Sequence, residues 1–332
     1  MAVVQVVKPG LLTTVQDRGR CGFQALGVSV AGPMDPASHR FANAMAGNLG
    51  DAAALEVTSI GPELIFEDQR LVAIAGAQFE IFLDGQPVPS TGAYVIPAGG
   101  ALRFGRRLRG TRAYLAVAGG IETQRVLGSR ATHLPSGMGG FGGRALKAGD
   151  RLPCGLARKL SAATAEVHAR LAGAATRLPE GRARLRVLPG PQTERFTKGA
   201  LDALQSGPYK IASNSNRMGF RLEGPSLAHA NGADVISDAT PLGVVQVPAS
   251  GQPILLMADR QTTGGYAKLA TVITADIGLA GQLGPGDAIV FAVCSLREAM
   301  SALIAQEQHL MAAEATLSTG LGIPFGPAQD RR

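Results

Sequence analysis

The sequence predicts a mainly β protein of sandwich or barrel type, and three observations carry that expectation. Glycine and proline are abundant, at 44 and 20 of 332 residues, a composition that favours short strands and tight turns over long helices. Short apolar runs recur between residues 54 and 117 with turn residues between them, the rhythm of antiparallel β architecture. Finally, Gly281-Gln-Leu-Gly-Pro-Gly-Asp287-Ala-Ile echoes Gly143-Arg-Ala-Leu-Lys-Ala-Gly-Asp150-Arg-Leu, which points to two related β domains of similar size. The chain is long enough for either two domains or one large one.

The elements follow in order. A strand over Val3 to Val7 ends at the Pro9-Gly10 turn. Leu12 to Arg20 begins apolar and becomes a polar, glycine-broken tip in which Gln16, Asp17 and Arg18 form either a local salt-bridged turn or part of a pocket. Asp35 followed by Pro36 reads as the cap and first turn of one short helix, with Phe41, Ala44, Met45 and Leu49 at helical spacing. Strands are expected at Ala54 to Thr58, Leu64 to Phe66, Leu71 to Ala75, Phe79 to Leu83, Ala93 to Ile96, Ala101 to Phe104 and Arg112 to Val117. Arg103, Arg106, Arg107, Arg109 and Arg112 fall between the last two and read as an exposed hairpin that requires no ligand. Gly137-Met-Gly-Gly-Phe-Gly142 matches G-x-G-x-x-G, but with no strand before it and no helix after it the segment is a loop and not a dinucleotide site.

Residues 157–182, with an apolar helical face at Leu160, Ala163, Val167 and Leu171, read as a linker between a first domain over 1–156 and a second over 183–295. The second domain restarts with a strand at Leu185 to Leu188. Residues 296–332 read as a helical tail with a proline-rich end.

Charge and composition exclude several functions. The net charge is +7 and the isoelectric point is near 9.7, but lysines and arginines are scattered and aromatics make up only 5%. That describes a solvated surface with some preference for anionic ligands, with no nucleic-acid partner expected. Three widely spaced cysteines and five histidines without ligand spacing indicate neither disulfides nor a metal. No apolar run approaches the roughly 20 residues of a membrane span, and the first residues lack signal-peptide character, so a cytoplasmic location is expected.

One stretch is built like a binding loop. After the buried-strand run Ile254 to Leu256 comes Met257-Ala-Asp-Arg-Gln-Thr-Thr-Gly-Gly-Tyr-Ala-Lys268. Gly264 and Gly265 permit φ > 0 or a close backbone approach, and Gln246, Gln261, Thr262 and Thr263 are candidate donors to a substrate oxygen. Lys268 or Arg217 suits a substrate carboxylate or phosphate, Tyr266 adds a contact, and Asp259 or Asp238 suits a base or an orienting group. The alternative is a polar turn at a barrel rim, with each acid capping a turn. As exposed turn positions, Asp259, Gln261 and Lys268 are expected to contribute only about half a kcal/mol each to stability. Gln16, Asp17, Arg18, Asn43 and Glu56 form the next candidate pocket, in the first domain.

These residues carry a resemblance. Thr14-Val-Gln-Asp-Arg-Gly-Arg20, Gly32-Pro-Met-Asp35, Ala42-Asn43, Leu55-Glu56, Tyr114-Leu-Ala-Val-Ala-Gly-Gly120, Arg217-Met-Gly, Ser237-Asp238, Gln246-Val-Pro and Asp259-Arg-Gln-Thr-Thr-Gly-Gly-Tyr266 resemble the biotin-dependent carboxyltransferase family, in order, over roughly residues 3 to 292. That family includes the C component of ATP-dependent 5-oxoprolinase, the antagonist of a sporulation kinase inhibitor, and a domain of urea carboxylase. The resemblance implies two cyclophilin-like β-barrel domains with a few short helices, and a polar pocket that works with partner chains. It implies ATP-driven opening of 5-oxo-L-proline to glutamate together with chains like the A and B components of that enzyme, ATP being held with a partner. The alternatives are a carboxyltransferase component for urea carboxylation, with biotin supplied in trans because no Met-Lys-Met attachment sequence is present, and a regulatory binding protein. A separate chain of this length is expected to be the oxoprolinase component.

Overall fold

The computed structural model describes residues 2–156 and 178–321. The expected linker helix, and the end of the tail beyond residue 321, lie outside the described residues. Strands β1 (Ala2–Lys8), β2 (Leu12–Gln16), β3 (Ala54–Thr58), β4 (Glu63–Phe66), β5 (Arg70–Leu83), β6 (Gln86–Val88), β7 (Gly92–Ile96), β8 (Ala101–Val117) and β9 (Arg151–Cys154) make one sheet. Its order is β2-β3-β8-β4-β1-β9, with β5 paired to β8 and carrying β6 and β7. The sheet curls into a half-barrel without a closing pair.

The remaining strands are β10 (Arg182–Pro189), β11 (Tyr209–Ile211), β12 (Gly219–Glu223), β13 (Asp234–Ala239), β14 (Val244–Val247), β15 (Ile254–Leu256), β16 (Thr263–Val272) and β17 (Ala288–Val293). In the order β10-β17-β11-β12-β15-β14-β16 they form a ring of seven that closes through β16 and β10, while β13 hangs from β16 outside it. Every pair in the ring is antiparallel except β10 with β17, which run parallel. The mainly β, barrel-type fold is the one predicted from the sequence; closure is complete in the second sheet only.

Several elements differ from the sequence reading. The two strands expected on either side of Gly76, and the two on either side of the arginine cluster, are single long strands, β5 and β8, whose mutual register shifts three times between Gly76 and Ile81. Gly76, at φ +88°, marks a bulge here and not a strand end: a Cβ would meet the Arg112 carbonyl at 2.5 Å. The arginine cluster is therefore a bulged strand. Arg103, Arg106 and Arg107 are exposed and Arg109 half-buried, but Arg112 is 5% accessible, turned inward by the changed register. The echo at Asp150 and Asp287 is a repeated turn: a glycine of positive φ precedes each, and each carboxylate accepts the backbone N–H three residues earlier as the strand begins.

Helix α1 (Pro36–Met45) has Asp35 as its cap, accepting from Ser38 N, and buries Phe41, Ala42 and Met45. It stops before Leu49, which is 79% exposed. Two helices carry no amphipathic signal in the sequence: α2 (Ala200–Gln205) and α3 (Thr274–Gly281). Gly278 and Gly281 look like breakers in α3, yet they let it approach the first half closely, since a Cβ at Gly281 would lie 2.1 Å from the Met34 carbonyl. Helix α4 (Leu296–Leu321) is the tail. Met34, from the first half, is buried inside the apolar cluster of the second barrel. No described helix is long and apolar enough to cross a membrane.

Candidate functional site

The two halves meet on a buried network of charges. The Arg217 guanidinium, just before β12, makes a two-pronged contact with Asp259 at 3.0 Å on each nitrogen, donates to the Gly32 carbonyl at 2.6 Å and pairs with Glu56 on β3. Glu56 also accepts from the Tyr114 hydroxyl at 2.7 Å and from Met34 N at 2.8 Å. Burial pushes the Glu56 carboxyl up, but the Arg217 and Arg112 charges, with these hydrogen bonds, outweigh it and hold the group below the usual carboxylate range. Asp35 is completely buried, and burial raises its pKa against the hydrogen bonds from Gln282 and Ser38. Gln282 follows α3 and bridges the halves, donating to Asp35 at 2.8 Å and accepting from the backbone of Thr111 and Arg112 at 3.1 Å each.

A second polar group lines the rim of the closed barrel. Lys268 on β16 is 1% exposed, and its Nζ reaches the Asp238 carboxylate on β13 at 3.3 Å. Asp238 itself faces solvent, and its pKa is held down first by the N–H of Ala239 and then by Lys268. Beside them the Gln261 amide donates to Gln246 Oε1 at 3.3 Å, and Gln246 Nε2 points to the Tyr266 carbonyl at 3.4 Å. Both contacts are long, so the amide groups keep hydrogen-bonding capacity for a ligand. Gly264 lets the two amides approach and has no positive φ: a Cβ would lie 2.6 Å from Gln246 Nε2 and 3.3 Å from Gln261 Nε2, so the amides would have to move.

A cleft of about 190 Å³ opens next to this rim, between the halves. Gln24, Ser29 and Val30 line it from the first half, and Thr240, Arg260, Gln261 and Thr262 from the second. Gln261 thus belongs both to the amide pair and to the cleft wall.

The candidate residues therefore separate into two places. Lys268, Asp238, Gln246, Gln261 and Thr262 gather at the rim and cleft. Thr263, Gly264, Gly265 and Tyr266 begin β16 and are not the loop that the sequence suggests. Asp259 and Arg217 lie instead in the buried network with Glu56, where Asp259 is 1% exposed and held by an arginine. Such a carboxylate fixes the arginine that reaches across to Glu56 and is not positioned as a base facing a ligand. In the first half, Asp17 holds a turn, accepting from Gly19 N at 2.9 Å, from the Ser129 hydroxyl and from Arg130 N. Gln16 donates to the Thr132 carbonyl at 3.1 Å, Arg18 reaches the Gly50 carbonyl at 3.3 Å, and Asn43 donates to the Ala52 carbonyl at 2.9 Å. These tie loops together and do not join the rim, and Glu56 belongs to the buried network instead. Ser29 and Gln24 are not singled out by sequence, and Arg260 enters there only as one residue of the binding stretch, with no role of its own. It stands between two residues that are singled out, and only the fold shows that Arg260 and Gln261, but not Asp259, face the cleft. Among the described residues no three His, Cys, Asp or Glu side chains are placed to hold a metal.

The cleft and rim occur in a chain with clear relatives. It is 40% identical to the C subunit of 5-oxoprolinase from Escherichia coli, over 92% of this chain and 96% of that one, and 37% identical to the protein of the same name from Haemophilus influenzae, over 86% and 89%. Its structure superposes on that of the K. lactis urea amidolyase with a TM-score of 0.87 and 29% identity, covering 94% of this chain but 20% of the much longer amidolyase. Residues 26–293 match the model of the carboxyltransferase domain, subdomains A and B. With most of its length matched, from the first strands' connections to the last strand of the barrel, the chain belongs to the carboxyltransferase domain family.

Proposed function

We propose that this chain acts as the C component of a 5-oxoprolinase complex, opening 5-oxo-L-proline to L-glutamate with ATP, together with partner chains like the A and B components of that enzyme. Near-full-length likeness to two proteins of that name supports the reading. The observation that carries it is a pair of facing amides, Gln261 on the cleft wall and Gln246 behind it, with the buried Lys268 paired opposite Gln246 across β14 and β16. A lactam presents an N–H and a C=O on one edge, and a pair of primary amides offers an acceptor and a donor to match. Activating the lactam by phosphorylation, like attack upon it, shifts charge to the amide oxygen. In this reading Gln261 Nε2 and Lys268 Nζ donate to that oxygen, and the ionised Asp238 keeps the ammonium oriented. A preorganised donor of this kind is worth on the order of 10²-fold or more in rate.

ATP enters as a co-substrate held mainly by a partner, because the sequence contains no G-x-x-x-x-G-K-[ST] loop. The chain alone is therefore expected to turn over little ATP or substrate. The second reading, carboxyl transfer from biotin supplied in trans, draws on the superposition with urea amidolyase and needs the same oxyanion donors. One assay separates the readings: glutamate formed from 5-oxoproline and ATP by the partner chains, with and without this one. A dependence on the chain that is lost in Lys268→Ala supports the first. Equal rates without the chain remove it.

A further inference from the structure

We propose that Arg260 makes the junction cleft an oxyanion subsite, taking a carboxylate or phosphoryl group of the ligand whose amide edge meets Gln246 and Gln261. Arg260 is partly buried and fixed by two carbonyls, Nε donating to Thr240 at 2.8 Å and Nη1 to Met257 at 3.4 Å. No carboxylate pairs with it among the described residues, and the one charge partner that opposes its desolvation is the Cys21 thiol. Its neighbour in sequence, Asp259, is already taken by Arg217. A guanidinium drawn out of water without an anion is unfavourable unless a ligand supplies one. The planar fork suits both carboxylate and phosphoryl oxygens, two at a time.

Other groups in the same cleft agree with this role. Thr262 and Gln24 line it with Arg260, and Ser29 ties the first half to the site by donating to the Arg260 carbonyl at 2.7 Å. Gln261 forms the wall shared with the amide pair, so a molecule spanning both places presents an amide to one and an oxyanion to the other. A lactam bearing an adjacent carboxylate has that shape, as does a lactam being phosphorylated. To that extent the inference rests on the proposed function, while anion binding at Arg260 does not.

Two measurements test it. In the isolated chain, inorganic phosphate and 5-oxoproline are each titrated while the melting temperature is followed, with Arg260→Gln and Thr262→Glu as variants. Thr262→Glu places an anion in the cleft without touching the two carbonyl contacts of Arg260, and so guards against a simple folding defect. The wild type is expected to gain stability with at least one of the two probes and both variants to lose that gain; responses equal to wild type in both variants overturn the subsite. In the reconstituted complex, Arg260→Gln is expected to raise a KM at least tenfold. A rise for 5-oxoproline but not for 2-pyrrolidinone, which lacks the carboxylate, identifies the carboxylate as the occupant, and a rise for ATP identifies the phosphoryl group. If the wild-type complex makes no glutamate, the proposed function fails, and the titration of the isolated chain still decides the subsite.

Discussion

Arg217 is gripped by Glu56 from one half and Asp259 from the other, with all three nearly inaccessible. Removing one member strands a buried charge, so Asp259→Ala is expected to cost about 3–5 kcal/mol in chemical denaturation, not the half kcal/mol of an exposed turn. Glu56 gives the pair a pH signature. Its folded pKa lies below the ordinary 4.5, so its contribution is fully present above pH 4.5 and is lost as the pH falls through the folded value. Glu56→Gln is expected to be less stable near neutrality and to lose that part of the acid slope, as read from denaturation midpoints between pH 6 and 3. A slope identical to wild type would mean that another acid carries it. At the rim the expectation is the reverse: Lys268→Gln reduces activity of the complex on the order of 10²-fold.

At the scale of the element, helix α3 and strand β16 show how glycine misleads a local reading. In α3, Gly281 permits a backbone contact with Met34 that no other residue allows. Gly281→Ala is expected to cost about 1–3 kcal/mol by overpacking the junction, seen as a lower melting temperature, whereas Gly286→Ala, where a Cβ meets nothing within 4 Å, tests only the φ of +91°. On β16, Gly264→Ala pushes Gln246 and Gln261 apart. It is expected to lower kcat/KM of the complex while changing the melting point less than Gly281→Ala does.

Across the whole molecule, α4 fastens the halves. Arg40 on α1 meets Glu307 at 2.7 Å and both oxygens of Glu314, Ala313 is buried against Phe41 and Met45, and Gln306 donates to the Ala275 carbonyl on α3 at 3.2 Å. Ending the chain after Ser295 uncovers α1 and α3 together. Calorimetry is expected to show a lower transition temperature than for Glu314→Ala, which by itself removes only a partly exposed pair worth about 1 kcal/mol. An unchanged transition would show the tail to be a bystander.

Local patterns were enough for whatever is decided within a few residues. The Asp35-Pro36 cap, strands β1 and β3, and the polar stretch after Ile254 could all be read directly, because turn chemistry and strand alternation act over short distances, whereas the echo at Asp150 and Asp287, read as a mark of related domains, is a repeated turn. The family motifs could be read for the same reason. Which motif residue faces a ligand was not legible. Asp259, Arg260 and Gln261 are consecutive, yet the first is buried against Arg217 while the other two line the cleft, Gln261 also pairing with Gln246. That division depends on Glu56, Gly32 and Ser29, about 200 residues away in the chain. Closure of the second sheet depends likewise on β10 meeting β16 and β17, and the length of β5 and β8 on a register set by bulges at Gly76. In each case the deciding partner is distant in sequence, so its influence leaves no periodicity or composition for a local reading to detect.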